Sequence, residues 1–577
     1  MTTNIQYGNA PAAAPRSFPS TGGPGLSPSP STGGLRFSPS PSRGGPGWGW
    51  CSFRHTCLKT PSPPNPLLEG EGFWRGLRFP AILLLGAVLS ACAVGPDYHK
   101  PDLAVPATYK ENADWHPADW TRAQPGDAIK RGAWWELFGD STLNDLEQQI
   151  EVSNQSLKQA EAQYRQAAAI VSGARANFFP TVGVSASGQR AGRYTTGSAS
   201  SGGTGAGGTI DTSGSSHPTN TYSVPFTASW EPDLWGQVRR TVEGDVANAQ
   251  ASAATLESTR LSLQAQLAQT YFQLRVVDEQ KRLLDETVVA YQKSLQLTQN
   301  QYNVGVAARA DVVQADTQLK QAQVQAIDLG IARAQFEHAI TLLIGKTPAE
   351  FSLAVEPLNV APPGIPVELP STLLERRPDV AVAERQAAAA NAQIGVAEAA
   401  YFPNLLLSAT AGYQSSTFSS ILAAPSRFWS LGAQLAETIF DGGAREAQVA
   451  QARAGFDAAA ANYRQVSLAA FQNVEDNLAA LRILEAEAAA QAEAVKSAEQ
   501  SLAIALNQYR AGTVSYLSVV TAQTTAFSNE RNAISILGNR LNDSVALVKA
   551  LGGGWDAKDL PAADAIDLHS NAPKPGG

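Results

Sequence analysis

A seven-residue spacing of apolar positions runs without a proline from Trp235 to Tyr302. One line of this spacing consists of Leu256, Leu263, Thr270, Val277, Leu284, Tyr291 and Thr298, and a second of Leu267, Leu274, Lys281, Val288, Leu295 and Tyr302. Two interleaved lines at this period form the seam of a left-handed coiled coil. The spacing predicts one helix of roughly 100 Å, at ~1.5 Å per residue, which spans a gap and does not close a compact pocket.

The same pattern occurs a second time, about 207 residues later along the chain. The second line recurs as Val474, Leu481, Ala488, Val495, Leu502 and Tyr509. A glycine follows the final tyrosine by three residues in both cases, Gly305 after Tyr302 and Gly512 after Tyr509. A glycine at this place is typical of a helix C-cap. Each half is therefore predicted to end a long helix, reverse and start a return helix, as one unit of an internal two-fold repeat.

Period-two alternation interrupts the helical pattern after Pro180 and again after Pro403. The apolar positions of the four alternating segments are Val182, Val184 and Ala186; Tyr222, Val224, Phe226, Ala228 and Trp230; Leu405, Leu407, Ala409, Ala411 and Tyr413; and Trp429, Leu431, Ala433 and Leu435. Each pair of segments predicts a β-hairpin, the first with a glycine- and serine-rich loop over 191–220. Strands of ~10 residues with one apolar and one small, polar face are typical of a transmembrane barrel.

Four strands cannot close such a barrel, and open sheet edges are not tolerated in lipid. We therefore expect several chains to share one barrel. The alternative is a soluble hairpin packed on a helix, but the sequence offers no additional sheet to cover the apolar faces.

The periodic segments divide the chain into six parts. These are a disordered extension with a signal peptide over 1–91, a lipid anchor and linker over 92–141, a first repeat over 142–346, a connector over 347–370, a second repeat over 371–555, and a flexible tail over 556–577. Within the repeats, helices are predicted over 142–176 (with Ser141 as N-cap), 236–303, 306–345, 371–400, 443–510 and 513–550. Residues 1–72 are rich in proline, glycine and serine, and one interpretation is that much of them comes from a wrongly assigned start.

A lipoprotein signal precedes Cys92. Arg75 and Arg78 form a basic start, residues 79–88 are apolar, and Leu-Ser-Ala leads into the cysteine. This order is typical of a secretory signal, and its end resembles the lipobox of bacterial lipoproteins, whose cysteine is acylated and becomes the first residue. Cys92 is therefore predicted to carry diacylglycerol and acyl lipid, with no other cofactor. The alternative is a chance match beside a buried apolar run.

Composition argues against several other classes of protein. The net charge of −8 and the pI near 5.4 argue against nucleic acid as the main partner. The six histidines are scattered without metal-ligand spacing, and three cysteines are too few for a disulfide framework. No nucleophile–base pair or phosphate-binding glycine loop is present in the sequence, so we do not expect an enzyme.

Five short motifs add to this pattern. They are Trp134-Trp135 with Phe138-Gly139-Asp140, Asp233-Leu234-Trp235-Gly236, Leu374-Glu375-Arg376-Arg377-Pro378-Asp379-Val380, Ile439-Phe440-Asp441-Gly442-Gly443, and Ala550-Leu551-Gly552-Gly553-Gly554-Trp555. With them the chain resembles the outer-membrane efflux factors of the TolC type, most closely the NodT branch of efflux lipoproteins, over roughly 92–555. The resemblance implies a homotrimer whose twelve-stranded β-barrel, four strands from each chain, continues into a long α-helical periplasmic barrel. Its far end would meet a periplasmic membrane-fusion (adaptor) protein and an inner-membrane pump.

The resemblance also implies where the duct is controlled. The barrel is open, so control belongs at the far end, where the candidate gate residues are Tyr302, Gly305, Asp311, Tyr509, Arg510, Gly512 and Ser518. Three copies of Asp311 near the axis would form an acidic ring; the alternative is that Asp311 only caps the return helix. Ser518 stands where the family often has a second acidic residue, and Arg510 could bridge to a neighbour.

The expected function is the outer-membrane channel of a tripartite efflux system, a passive duct for small molecules such as drugs or toxic compounds. One alternative is the exit duct of a type I protein secretion system, because a tunnel passes whatever its pump delivers. Another is a structural coiled-coil lipoprotein that tethers the outer membrane, against which the alternating strands argue.

Overall fold

A computed structural model describes residues 93–111, 133–192, 218–365 and 370–566 of the chain. The predicted extension and signal over 1–91, Cys92, the loop centre over 193–217 and the last residues 567–577 lie outside the described residues. In chain order, the elements are α1 (Ser141–Ser153), α2 (Gln155–Ala176), β1 (Thr181–Val184), β2 (Ser187–Ala191), β3 (Thr219–Trp230), α3 (Gln237–Asn303), α4 (Arg309–Leu343), α5 (Pro370–Arg376), α6 (Pro378–Ala399), β4 (Asn404–Ser415), β5 (Arg427–Ala436), α7 (Ala444–Arg510) and α8 (Tyr516–Ala550).

The long helices α3 and α7 have 67 residues each, and their return helices α4 and α8 have 35 each. Their bounds lie close to those that the seven-residue spacing predicts. Six of the thirteen seam positions of α3 are buried, among them Leu267, Leu274, Leu284 and Tyr291, and six more are partly buried. Within the described residues, no helix has an apolar stretch long enough to cross a membrane.

The two long helices α3 and α7 are flanked by different helices at their two ends. Near the sheet, α2 and α6 pack between and beside them, in the order α2–α3–α6–α7. Toward the other end, the return helices replace them, in the order α4–α3–α8–α7. The same two long helices therefore connect the sheet to the turns at the opposite end.

The strands form one antiparallel sheet, with β1 and β2 at one edge, then β3, β4 and β5 at the other edge. The register places Val184 opposite Phe226, Phe226 opposite Ala411, and Ala411 opposite Trp429. The four predicted apolar faces therefore lie on one side of the sheet. Phe226 and Trp429 are exposed on this side in the single chain.

The first strand is divided into β1 and β2 at Ser185. Pro225 lies opposite this position and has no N–H to donate to the strand ladder. Ser185 still donates its own N–H to the Pro225 carbonyl at 3.1 Å. The interruption therefore follows from one missing donor.

The helix predicted over 142–176 is two helices, because Asn154 leaves the helical conformation between α1 and α2. Its side-chain oxygen accepts the N–H of Leu157 at 3.0 Å, which caps α2. Its side-chain amide donates to the Leu343 carbonyl at 2.6 Å, at the end of α4. The break thus serves a contact between distant parts of the chain.

Two further helix starts differ from the sequence prediction. The N-cap of α1 is Asp140 and not Ser141, because the Asp140 carboxylate accepts the Leu143 N–H at 3.0 Å. The helix predicted over 371–400 is divided into α5 and α6 just before Pro378. A residue that precedes proline is disfavoured in the helical region, so a helix restarts at the proline.

The predicted flexible tail is packed over 556–566. Ile566 is fully buried. Arg175 donates to the Ile566 carbonyl at 2.8 Å, and Gln250 donates to the Pro561 carbonyl at 3.0 Å. This segment therefore lies against α2 and α3, which its sequence did not indicate.

Glu147 is buried in α1, and neither of its carboxylate oxygens has a hydrogen-bond partner among the described residues. Burial raises the pKa of Glu147 well above its ordinary value, and the neighbouring Glu151 carboxylate raises it further. An unpaired buried charge is costly, so the interior of the folded protein favours the protonated form of Glu147. The stability that protonated Glu147 contributes is fully present below its unfolded-state pKa, near 4.3. It is lost as the pH rises through the folded-state pKa.

Replacing Glu147 with glutamine should therefore stabilise the protein at pH 8 and change little at pH 4. Glutamine has nearly the same shape but cannot ionise. The measurement is thermal unfolding of the detergent-solubilised protein, followed by circular dichroism from pH 4 to pH 8. Each unit of pKa shift is worth about 1.4 kcal/mol. Glu161→Gln, at an exposed carboxylate of α2, is the control; parallel melting curves for wild type and Glu147→Gln at all pH values would contradict this account.

Candidate functional site

The two long helices end in the same local structure. Gly305 and Gly512 have positive φ angles of 81° and 73°. The N–H of Val306 donates to the Gln301 carbonyl at 2.8 Å, and the second turn repeats this bond from Thr513 at 3.0 Å. This is a Schellman motif, which needs a left-handed residue that glycine adopts without strain. Both glycines therefore serve as the predicted C-caps.

Tyr509 connects the end of α7 to the end of α3. Its side chain is 5% exposed. Its hydroxyl donates to Thr298 Oγ1 at 3.3 Å, and Gln301 Nε2 donates to the Tyr509 carbonyl at 3.5 Å. The structure thus brings the two halves of the chain together at the turns, through long and individually weak hydrogen bonds.

Tyr516, at the start of α8, extends this contact. Its ring lies edge-on to that of Tyr509, with 5.4 Å between ring centroids. Its hydroxyl shares a hydrogen bond with Ser294 Oγ at 3.3 Å. Ala315 of α4 and Val519 of α8 complete a buried cluster to which all four helices contribute. We call Ser294, Thr298, Tyr509 and Tyr516 the tip contacts.

The phenols of the tip contacts stay neutral. Burial raises the pKa of Tyr509 and of Tyr516, and the Asp311 carboxylate raises both further. A neutral phenol is both a donor and an acceptor, so these hydrogen bonds persist at any pH at which the protein works.

Asp311 caps the return helix α4. Its Oδ2 accepts the N–H of Ala308, the N-cap residue, at 3.2 Å. An acidic side chain in the first turn also stabilises the helix dipole. Asp311 thus makes a capping hydrogen bond from the third residue of α4, with Ala308 as the N-cap, and the acidic ring stays a prediction.

The remaining candidate residues lie at the surface of the single chain. Tyr302, the repeat equivalent of Tyr509, is 40% exposed. Arg510 is exposed and donates to Asn507 Oδ1 at 3.4 Å, and Ser518 is exposed in the first turn of α8. The sequence analysis did not single out Ser294, Thr298 or Tyr516 as tip residues. Thr298 carried a signal, because it is a polar residue on an otherwise mostly apolar seam line.

The first described part of the predicted linker, 93–111, runs along the helices as a strap. Val94 donates its N–H to the Trp235 carbonyl at 3.1 Å, where β3 leads into α3. A Cβ added to Gly236 would lie 3.0 Å from the Ala93 Cα. Arg240 Nη2 pairs with Asp97 at 3.0 Å. The upper end of the strap is therefore fixed beside the sheet.

The lower end of the strap reaches α7. The backbone N–H of Lys110 donates to Glu475 Oε1 at 2.7 Å, and Arg482 pairs with Glu111 at 2.7 Å. Between the two ends, Tyr98 donates to Glu384 Oε1 of α6 at 2.8 Å. The strap thus binds helices of both halves, although its sequence indicated only a polar linker.

Comparison with known proteins agrees with this geometry. The sequence profile of the family described as "Outer membrane efflux protein" matches residues 146–346 and 369–553. The chain belongs to the outer membrane efflux protein family. It is the outer-membrane channel component of an efflux system. The family consists of transport channels and is not a family of enzymes.

Relatives within the family differ in what their names say they export. The toluene efflux pump outer membrane protein TtgC of Pseudomonas putida is 32% identical over 470 residues, which cover 81% of this chain and 94% of the relative. The cation efflux system protein CusC of Escherichia coli is 27% identical over 470 residues, with 81% and 96% covered. The structure of the outer-membrane channel OprN matches with a TM-score of 0.72 and 29% identity, over 80% of this chain and 100% of that one.

Proposed function

We propose that three copies of this chain form the outer-membrane duct of a tripartite efflux pump, a passive channel for small molecules. The observation that carries this proposal is the sheet of the single chain. It has an exposed apolar face, and its two edges, β1 with β2 on one side and β5 on the other, have no partner strand among the described residues. In lipid, such edges must pair with further strands.

The strand directions allow copies of the chain to pair. The sheet is four strands wide and antiparallel throughout, so its two edge strands run in opposite directions. The β5 edge of one copy can therefore pair antiparallel with the β1 edge of the next. Two copies would give eight strands, whose interior is just filled by side chains, whereas twelve strands leave room for water. The equal lengths of α3 and α7, and of α4 and α8, support two copies of one ancestral unit within each chain.

Replacing Leu431 with arginine should prevent assembly of the trimer. Leu431 lies opposite Ala409 on the apolar face of β5. A lipid-facing arginine costs about 2–4 kcal/mol at the bilayer midplane, and the cost applies in every copy. The measurement is the fraction of heat-sensitive trimer on SDS gels of outer-membrane extracts.

Ser430→Arg is the matched control. Ser430 is next to Leu431 on β5, so its side chain faces the opposite side of the sheet, toward water in the assembled barrel. Equal loss of trimer in both variants would show that the apolar face does not meet lipid.

The turns offer a surface for the proposed adaptor protein. Val304 and Val306 are 75% and 67% exposed, and Leu517 beside the second turn is 58% exposed. Large apolar side chains gathered at an exposed tip are typical of a protein-binding surface. The names of the relatives, which refer to toluene and cation efflux, support small-molecule export over protein secretion, and we assign no reaction to the chain.

We place the gate of the duct at the tip contacts. Opening requires α7 and α8 to move away from α3, which breaks the Tyr509–Thr298 and Tyr516–Ser294 hydrogen bonds. Such a change between two packed arrangements is a familiar form of switching. In a trimer, Asp311 would add an acidic ring near the axis, and the exposed Arg510 would be free to bind a neighbouring copy.

Replacing Tyr509 with phenylalanine should shift the channel toward its open form. The change removes the hydroxyl that donates a hydrogen bond to Thr298 Oγ1 but keeps the ring that packs on Tyr516. One such hydrogen bond contributes about 0.5–1.5 kcal/mol, so the closed-to-open ratio should fall about two- to tenfold per chain. The measurement is the open probability of single channels in planar bilayers. Tyr302→Phe is the repeat-matched control; equal effects of the two variants, or none from Tyr509→Phe, would exclude the tip contacts as the gate.

We also propose that Cys92 is the lipid-bearing first residue of the mature protein. Ala93, the first described residue, lies against Gly236 where the sheet leads into α3, so the described chain starts at the sheet end of the molecule. The other two cysteines, Cys51 and Cys57, lie in the segment that cleavage would remove.

Mass spectrometry of the purified protein should therefore find an N-terminal peptide that begins at Cys92 and carries three acyl chains. Cys92→Ser should lack this modification, whereas Cys57→Ser should keep it. A peptide that continues upstream of residue 92, or an unmodified Cys92, would contradict the lipid anchor.

A further inference from the structure

A cavity of about 440 Å³ lies between the two halves of the chain, just inside the turns. It is bounded by α3 between positions 283 and 297, by the last turns of α7, and by α8. At ~1.5 Å per residue, it begins about 9 Å from the end of α3. Its walls are largely apolar, with Leu283, Leu297, Leu506 and Phe527 among them. Its volume is within the range of small-molecule sites.

One polar side chain in this cavity has no partner. Gln523 of α8 is 5% exposed, and among the described residues no donor reaches its Oε1. A buried acceptor without a hydrogen bond costs free energy that a donor from a bound molecule would recover. Gln523 lines the cavity, but its Oε1 is turned away from the open space, so the amide has to rotate about its last side-chain torsion to present this oxygen to a donor in the cavity.

Negative charge gathers at the end of the cavity that is farther from the turns. Glu530 lines the cavity two helical turns along α8 from Gln523, and Glu286 of α3 approaches from the other half. Burial raises the pKa of Glu530, and the Glu499 and Glu286 carboxylates raise it further. Arg282 pairs with Glu286 at 2.6 Å, but no ion pair is formed by Glu530 in the described structure. Lys293 and Arg510 line the cavity toward the turns, so the two ends differ in charge.

We propose that this cavity binds small amphipathic organic cations that carry an N–H donor, such as protonated primary amines. The ammonium group donates to Gln523 Oε1 and lies beside the Glu530 carboxylate, and the apolar body lies against the leucines and Phe527. A cation at this end also relieves the repulsion among the three carboxylates. Ser294, one of the tip contacts, also lines the cavity, but binding can be measured whether or not the tip contacts form the gate.

The probe is 2-phenylethylamine, titrated by calorimetry into the full mature protein in amphipol at pH 7. Two analogues test the chemistry: the N,N,N-trimethyl derivative keeps the charge but has no N–H, and 2-phenylethanol keeps a donor but has no charge. Each analogue should bind about tenfold more weakly than the primary amine, because hydrogen bonds to charged groups are the stronger ones. Equal affinity for all three compounds, or no binding of the amine, would overturn the proposal.

Gln523→Leu and Glu530→Gln should each weaken binding of 2-phenylethylamine about tenfold. Glu530→Gln is nearly isosteric and only partly buried, so it tests the site even where Gln523→Leu disturbs packing. Gln266→Leu, at an exposed glutamine of α3, is the control and should bind like the wild type. Bound amine should also raise the melting temperature of the wild type but not of Glu530→Gln. Unchanged affinity in both cavity variants would place the amine elsewhere.

Discussion

The pairing of backbone groups at the two edges of the sheet is the constraint on which the rest of this structure depends. A bilayer offers no water to satisfy unpaired N–H and C=O groups, so a four-stranded sheet with an apolar face is incomplete as a single chain. Because each strand pair leads directly into a long helix, closing the sheet in the proposed trimer would also arrange the helices around one axis. The proposed barrel and helical tunnel would therefore be two consequences of one requirement.

The two ends of the long helices differ in how strongly they are held. In the middle of the molecule, Trp134, Tyr271 and Phe272 are almost fully buried, and the Tyr271 hydroxyl donates to Asp140 at 2.6 Å. At the turns, the halves meet through a small cluster and hydrogen bonds of 3.3 Å and longer. Large apolar burial is costly to undo, whereas each of these hydrogen bonds contributes about 1 kcal/mol. Movement is therefore expected at the turns and not at the middle.

The periodic parts of the sequence predicted their structure closely. The seven-residue spacing located α3 and α7, and the alternation located the apolar face of the sheet, because burial repeats at the period of each element. The break at Asn154 was missed because its cause is a hydrogen bond to Leu343, far away in the chain. The strap and the packed tail were missed for a related reason: they bind through backbone carbonyls and charged side chains, which leave no periodic signal. Tyr302 and Tyr509 occupy matching positions in the two similar sequence segments, so the sequence did not predict that Tyr509 is buried and Tyr302 is exposed.

The central claim is that several chains share one barrel, and counting the chains in one particle tests it most directly. Native mass spectrometry of the detergent-extracted protein, with the detergent removed in the gas phase, counts the chains in one particle. The account predicts three chains, and no folded particle with one. A stable single chain that retains its strands, or a pair, would contradict the shared barrel, because eight strands or fewer cannot enclose a water-filled duct.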